Sequence, residues 1–209
     1  MAAKKGATKK TAAKKSKAKK SAAAEPVIYK GLAGVTVDTT SVSKVVPETN
    51  SLTYRGYAVQ DLAANCRFEE VAYLMWHGEL PTRAQLRKFE KDERSRRNIS
   101  RGHVEVIRQY PKKAHPMDTL RTSVSYLGTT ETAWGGEPAE KDLDRSMNML
   151  AKIPTMIATD YRFRKGLRRI TPRKDLTMSE NFFHMCFGEV PPKEVIRAFD
   201  ISLILYAEH

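Results

Sequence analysis

After Tyr57 the apolar residues recur mostly at steps of three and four, whereas short β-branched runs are confined to the segment before it. That change of period predicts a mainly α protein with a small β-hairpin region on its N-terminal side. A glycine-bracketed turn over 30–34 leads into residues 35–38, 42–46 and 52–54, each short and separated by turn residues, as small antiparallel strands are. Residues 68–76 carry Phe68, Val71, Ala72 and Met75 at helical spacing. Pro81 and Thr82 open a helix over 83–96, with Thr82 and Gln85 spaced as a capping box. Its apolar contacts are only Ala84, Leu86 and Phe89, so its charges are expected to form a solvated face. A short helix over 104–110 ends at Pro111. Pro116 opens the next, where Met117, Leu120, Val124 and Leu127 make one apolar stripe. A polar loop over 128–138 precedes a long helix, 140–164, in which Pro154 predicts a kink. Ser179 is placed to cap a helix over 180–187, and Gly188 to end it. No internal repeat is read from the sequence.

The last helix differs from the rest. Pro191 and Pro192 supply a fixed-φ entry, residues 193–200 are amphipathic, and residues 201–207 are apolar nearly all round, which predicts burial. The helix ends on Glu208 and His209 with no glycine, asparagine or proline stop after them. A core helix that stops on two ionisable residues reads as an interrupted protein.

Composition adds a tail to this picture. Of 209 residues, 41% are apolar, enough to bury a sizeable core, and the formal charge is +13. Nine lysines and one glutamate fall within residues 1–25, so eight of those thirteen charges belong to a Lys/Ala/Ser/Thr tract with nothing to bury, expected to be disordered. Such a tail offers weak counterion-release attraction to nucleic acid or another polyanion. Residues 26–209 are expected to form the globular part. The cysteines, Cys66 and Cys186, sit in no metal-type spacing and read as buried apolar groups of a reducing compartment. There is no 18-residue apolar run and no secretory h-region, so no membrane span is expected and a cytoplasmic location is.

Five histidines titrate nearest neutrality. His103 reads as exposed, His77 before Gly78 as a helix C-terminal residue, His115 before Pro116 as a helix-entry group, and His184 as a hydrogen-bonded core residue. His209 differs, because a Glu-His pair ending an apolar helix has to find buried partners or line a wet cavity. The sequence contains no HExxH, no Cys/His cluster, no phosphate-loop pattern and no serine nucleophile elbow, so no metal ligands are assigned. The basic run 162–174 contains one aromatic, Phe163, and reads as a solvated interhelix loop; a basic helical nucleic-acid-binding protein is the alternative reading.

Six segments together resemble the citrate synthase family, most closely its bacterial 2-methylcitrate synthase branch. They are Lys30-Gly31-Leu32-Ala33-Gly34-Val35, Leu52-Thr53-Tyr54-Arg55-Gly56-Tyr57, Gly78-Glu79-Leu80-Pro81-Thr82, His115-Pro116-Met117-Asp118, Phe187-Gly188-Glu189-Val190-Pro191 and Leu205-Tyr206-Ala207-Glu208-His209. The resemblance runs from about Val27 to His209 and covers the first half of a family member, an incomplete multi-helical large domain. It implies a mostly α-helical homodimer that condenses acetyl-CoA or propionyl-CoA with oxaloacetate, with acyl-CoA as co-substrate and no bound cofactor. In such enzymes an aspartate takes a proton from the thioester α-carbon, one histidine stabilises the enol, and another polarises the ketone of oxaloacetate. The resemblance implies that His209 is the family's first oxaloacetate-binding residue and that Lys30 falls where some members place a basic residue near the CoA phosphates. The Gly-Pro-x-His-Gly-Gly and Gly-x-Gly-His segments are not in these 209 residues, so no catalytic residue is assigned and the chain is expected not to turn over by itself.

Overall fold

The computed structural model describes residues 28–36, 38–130 and 139–208. Residues up to Thr39 form one unit and Thr40 onward another. In the first, a 3-10 turn spans Lys30–Leu32, with Gly31 and Leu32 at positive φ, and residues 35, 36 and 38 form no strand, although β structure was expected there. The basic tail and Val37 lie outside the described residues.

The second unit begins with a three-stranded antiparallel sheet, β1 (Ser43–Val46), β2 (Ser51–Tyr54) and β3 (Tyr57–Ala58), in the order β1-β2-β3. Tyr54 pairs with Tyr57, so Arg55 and Gly56 are a two-residue hairpin loop, and both have positive φ, as the favoured primed turns require. Eight helices follow among the described residues: α1 (Val59–Asn65), α2 (Phe68–His77), α3 (Arg83–Arg96), α4 (Arg101–Arg108), α5 (Pro116–Thr130), α6 (Ala139–Arg164), α7 (Met178–Phe187) and α8 (Lys193–Leu205). Gly128 lies within α5, so the expected loop begins later, and residues 131–138 lie outside the described set. Helix α4 begins three residues before the expected start because Ser100 caps it, accepting from the His103 amide.

Helix α6 is the axis: α3, α4, α5 and α7 pack on it. Ile99, Ile107, Leu127 and Met156 fill one side, Ala72, Phe89 and Met147 a second, and Ala158, Met185 and Cys186 a third. A separate core joins the sheet to α1, α2 and α8 through Tyr54, Val59, Leu62, Val71, Leu74, Met75 and Ile204.

Two helical hairpins share one sequence plan, contrary to the expectation of no repeat. Shifting α2–α3 by 110 positions superposes its helix starts on those of α7–α8 and matches Glu70 with Glu180, Met75 with Met185, Gly78 with Gly188, Glu79 with Glu189, Pro81 with Pro191, Arg87 with Arg197 and Phe89 with Phe199. Each first helix has a capping-box Glu at its third position and stops at a left-handed glycine, φ 87° and 92°. Most of the identities are caps and turns, the positions where backbone geometry restricts the choice of residue. Thr177, rather than Ser179, caps α7; the Ser179 hydroxyl instead donates to Asp200, 2.9 Å away. The hairpins also cap each other. The Phe68 amide opening α2 donates to Asp200 Oδ2 of α8 at 3.1 Å, and the Met178 amide opening α7 donates to Glu69 Oε1 of α2 at 2.8 Å, each carboxylate sitting where the helix dipole favours negative charge.

Two expectations about exposure fail. Glu93 on α3 and Arg97 just after it are both buried, paired at 2.7–3.0 Å, and Arg97 also donates to the Arg173 and Leu176 carbonyls, so the polar side of α3 is partly interior. Helix α8 is buried on one side only: Ile204 is sealed, whereas Val195, Leu205 and Tyr206 are exposed, Tyr206 at 81%.

Candidate substrate-contacting site

The end of α8 is held by the hairpin. Tyr54 is fully buried, and its hydroxyl lies 3.0 Å from the Leu205 carbonyl and 3.1 Å from that of Glu208, sharing its proton between them. Burial raises the Tyr54 pKa above its usual 10, which keeps the phenol a donor. The turn beside it is anchored too. Arg55 donates from Nη2 to the Met75 carbonyl at 2.8 Å, at the last turn of α2, and from Nη1 to Ser41 Oγ at 3.1 Å. On the opposite side Arg197 of α8 donates to the Ala63 carbonyl and, at 2.7 Å, to that of Cys66, closing the C-terminal end of α1 with a cation. Thus α8 is tied at its middle to α1 and at its end to β2. The half-buried Glu208 has its backbone fixed immediately before the position of His209.

His209 itself lies outside the described residues. Lys30 is exposed in the 3-10 turn of the first unit. The other histidines divide. His77 is the last residue of α2 and lies 4.1 Å, centroid to centroid, from the Tyr73 ring. His115 Nδ1 accepts from the Met117 amide at 3.2 Å, the helix-entry role expected. His103 is buried, not exposed: it faces the Tyr126 ring edge-on, its Nε2 has no partner among the described residues, and burial with the Lys152 charge lowers its pKa. His184 is half-buried, with a pKa lowered first by burial and then by Arg173.

The basic run after α6 is less free than its composition implies. Arg162 donates to the Arg168 and Cys186 carbonyls, Arg164 to those of Lys112 and Ala114 and to Asp160, and Arg173 pairs with Asp175. Among the described residues no group of three or more His, Cys, Asp or Glu could hold a metal, and no helix is long and apolar enough to cross a membrane.

Tyr54 was legible only as part of a motif. The signal that could have singled it out is the Tyr-Arg-Gly-Tyr turn itself, whose hairpin fixes an inward-facing aromatic with a polar tip.

Residues 31–209 match the family described as citrate synthase, C-terminal domain. The citrate synthase of Mycolicibacterium smegmatis is 55% identical over 184 residues, which is 88% of this chain and 49% of that one. The 2-methylcitrate synthase of Mycobacterium tuberculosis is 53% identical, over 88% of this chain and 46% of its own length. The chain therefore spans about half the length of the curated relatives it matches. Among solved structures, the Pyrobaculum aerophilum citrate synthase superposes with a TM-score of 0.81 at 36% identity, covering 87% of this chain and 47% of that one. The Thermoplasma acidophilum citrate synthase, a ternary complex with carboxymethyl coenzyme A and oxaloacetate, gives 0.82 at 28% identity, over 88% and 48%.

Proposed function

The chain belongs to the citrate synthase family, and on that premise we propose that it forms the oxaloacetate-contacting N-terminal half of an enzyme that condenses an acyl-CoA with oxaloacetate. The observation that carries this reading is the Tyr54 clamp, which fixes the backbone of Glu208 directly ahead of His209. A neutral imidazole there donates one N–H to a carboxylate or ketone oxygen while its other nitrogen is oriented by protein. Pinning the Glu208 carbonyl orders this end of the chain before substrate arrives, so less ordering remains for binding to supply. The aspartate that deprotonates the acyl-CoA belongs to the other half, as do the enol-stabilising histidine and the arginines that grip carboxylates. The complete enzyme is a homodimer in this reading, and the exposed Phe187, Val190, Val195, Leu205 and Tyr206 are apolar surface for its further packing.

The test is thiol release from acetyl-CoA or propionyl-CoA in the presence of oxaloacetate. The 209-residue chain alone is expected to match the blank. A chimaera joining it to the part of the M. smegmatis citrate synthase that follows the matched region is expected to release thiol only when oxaloacetate is present, and the faster acyl-CoA names the substrate. A folded chimaera inert with both would refute the proposal.

A further inference from the structure

One carboxylate fixes α8 along its axis. Asp200 is buried, and its two oxygens serve two different helices: Oδ2 accepts from the Phe68 amide that opens α2, at 3.1 Å, and Oδ1 from the Ser179 hydroxyl in the first turn of α7, at 2.9 Å. The Arg197 guanidinium, 3.6 Å from Oδ2, is directed at the Ala63 and Cys66 carbonyls and adds positive charge here rather than a hydrogen bond. Beside Asp200, the Phe199 ring stacks on that of Phe182 of α7, 5.3 Å between centroids and nearly parallel, and meets Phe183 edge-on at 5.1 Å. Such ring contacts hold two helices together but tolerate sliding of one over the other, whereas a hydrogen bond weakens steeply once its angle or length leaves the optimum. The register of α8 is therefore set by the two polar ties.

The tie to Phe68 also closes a ring of contacts. Helix α2 has ten residues, a length of about 15 Å. At its far end the Met75 carbonyl accepts from Nε and Nη2 of Arg55, at 3.3 and 2.8 Å. The residue before Arg55 is Tyr54, whose hydroxyl holds the Leu205 and Glu208 carbonyls. Helix α2 is thus a strut between two points of α8, fastened directly at Asp200 and through the hairpin at the C-terminal end. Without Asp200 only the second fastening to α2 remains.

We propose, on the reading that the end of α8 contacts the dicarboxylate, that Asp200 is a positioning residue for oxaloacetate: it sets where along its axis α8 comes to rest, and with it the Glu208 backbone from which His209 follows. Alanine at 200 removes both ties. Asparagine keeps both, because its carbonyl oxygen accepts from the Phe68 amide while its NH2 donates to the Ser179 hydroxyl oxygen.

The test is steady-state kinetics on the chimaera, which carries all 209 residues, with Asp200→Ala, Asp200→Asn, His209→Ala and the Asp200→Ala/His209→Ala double variant, circular dichroism checking each fold. Asp200→Ala should raise the oxaloacetate KM about fivefold and leave the acyl-CoA KM unchanged, and Asp200→Asn should stay within about twofold of the unmutated form. Adding Asp200→Ala to His209→Ala should raise the oxaloacetate KM no further, because Asp200 acts through that residue. Lost stability alone would lower kcat through the folded fraction and leave both KM values in place. If Asp200→Ala does not fold, Ser179→Ala, which removes one tie, takes its place with an expected rise of about threefold. With the oxaloacetate KM raised by His209→Ala, an unchanged value in the alanine variant at 200 or 179, an asparagine variant no better than alanine, or an effect that adds in full to that of His209→Ala overturns this role for Asp200 alone. No rise with His209→Ala overturns it together with the reading beneath it.

Discussion

Replacing Tyr54 by phenylalanine removes one oxygen and leaves the ring in its core among Val59, Leu62, Val71 and Leu74. What is lost is the proton shared between the Leu205 and Glu208 carbonyls, at 3.0 and 3.1 Å. One neutral hydrogen bond is worth about 1 kcal/mol net, and stranding a buried acceptor adds to that. Leu205 and Tyr206 are exposed, so water can reach part of what is freed. The expected loss is therefore about 1–1.5 kcal/mol, concentrated at the end of α8. The Tyr206 amide, bonded to the Ser202 carbonyl, and the Ala207 amide, bonded to that of Ile204, report it directly. Native-state hydrogen exchange should speed by about tenfold at these two amides, while amides of α6 change only as far as global stability does. Exchange at Tyr206 and Ala207 that stays at the wild-type rate would refute the clamp.

Other predictions concern buried charge and thiols. Arg97→Met should lower the urea-derived stability by about 3–5 kcal/mol because Glu93 is left buried and unpaired, and adding Glu93→Leu should recover much of that; equal losses in the single and double variants would contradict the pairing. Burial raises the Glu69 pKa above its ordinary 4.5, so the native state holds its proton more tightly than the unfolded chain. Stability from this group is thus present below 4.5 and lost as pH rises through the raised native value, and Glu69→Gln should remove that dependence; parallel pH profiles of urea midpoints for variant and wild type would count against it. The Cys186 thiol is pushed up to about 11 by burial and that of Cys66 is raised for the same reason, so a thiol reagent at pH 7 should label neither until the chain unfolds; rapid labelling of the native protein would be inconsistent with both burials.

The helix ends were legible where caps write them into the sequence. Thr82 with Gln85, Gly78, Gly188 and the Pro191-Pro192 pair set their boundaries locally, and the structure keeps them. Burial was less legible, because it depends on partners far along the chain. Glu93 looked like one of the solvent-facing charges of its helix, but it is buried against Arg97, which also meets the carbonyls of Arg173 and Leu176, 76 and 79 residues away. His103 lies on an ordinary polar stretch and is buried by the ring of Tyr126 from the next helix. Ser179 resembled a cap, but a threonine two residues earlier took that role and the serine turned to Asp200. The Tyr54 clamp joins residues 151 and 154 positions apart, a distance no local pattern reports.

The most direct measurement is steady-state kinetics on the His209→Ala form of the chimaera. The account predicts that the oxaloacetate KM rises about tenfold or more, the effect of losing one hydrogen bond to a charged group, with the acyl-CoA KM nearly unchanged. An oxaloacetate KM equal to that of the unmutated chimaera would contradict the claim that this chain supplies the first contact to the dicarboxylate.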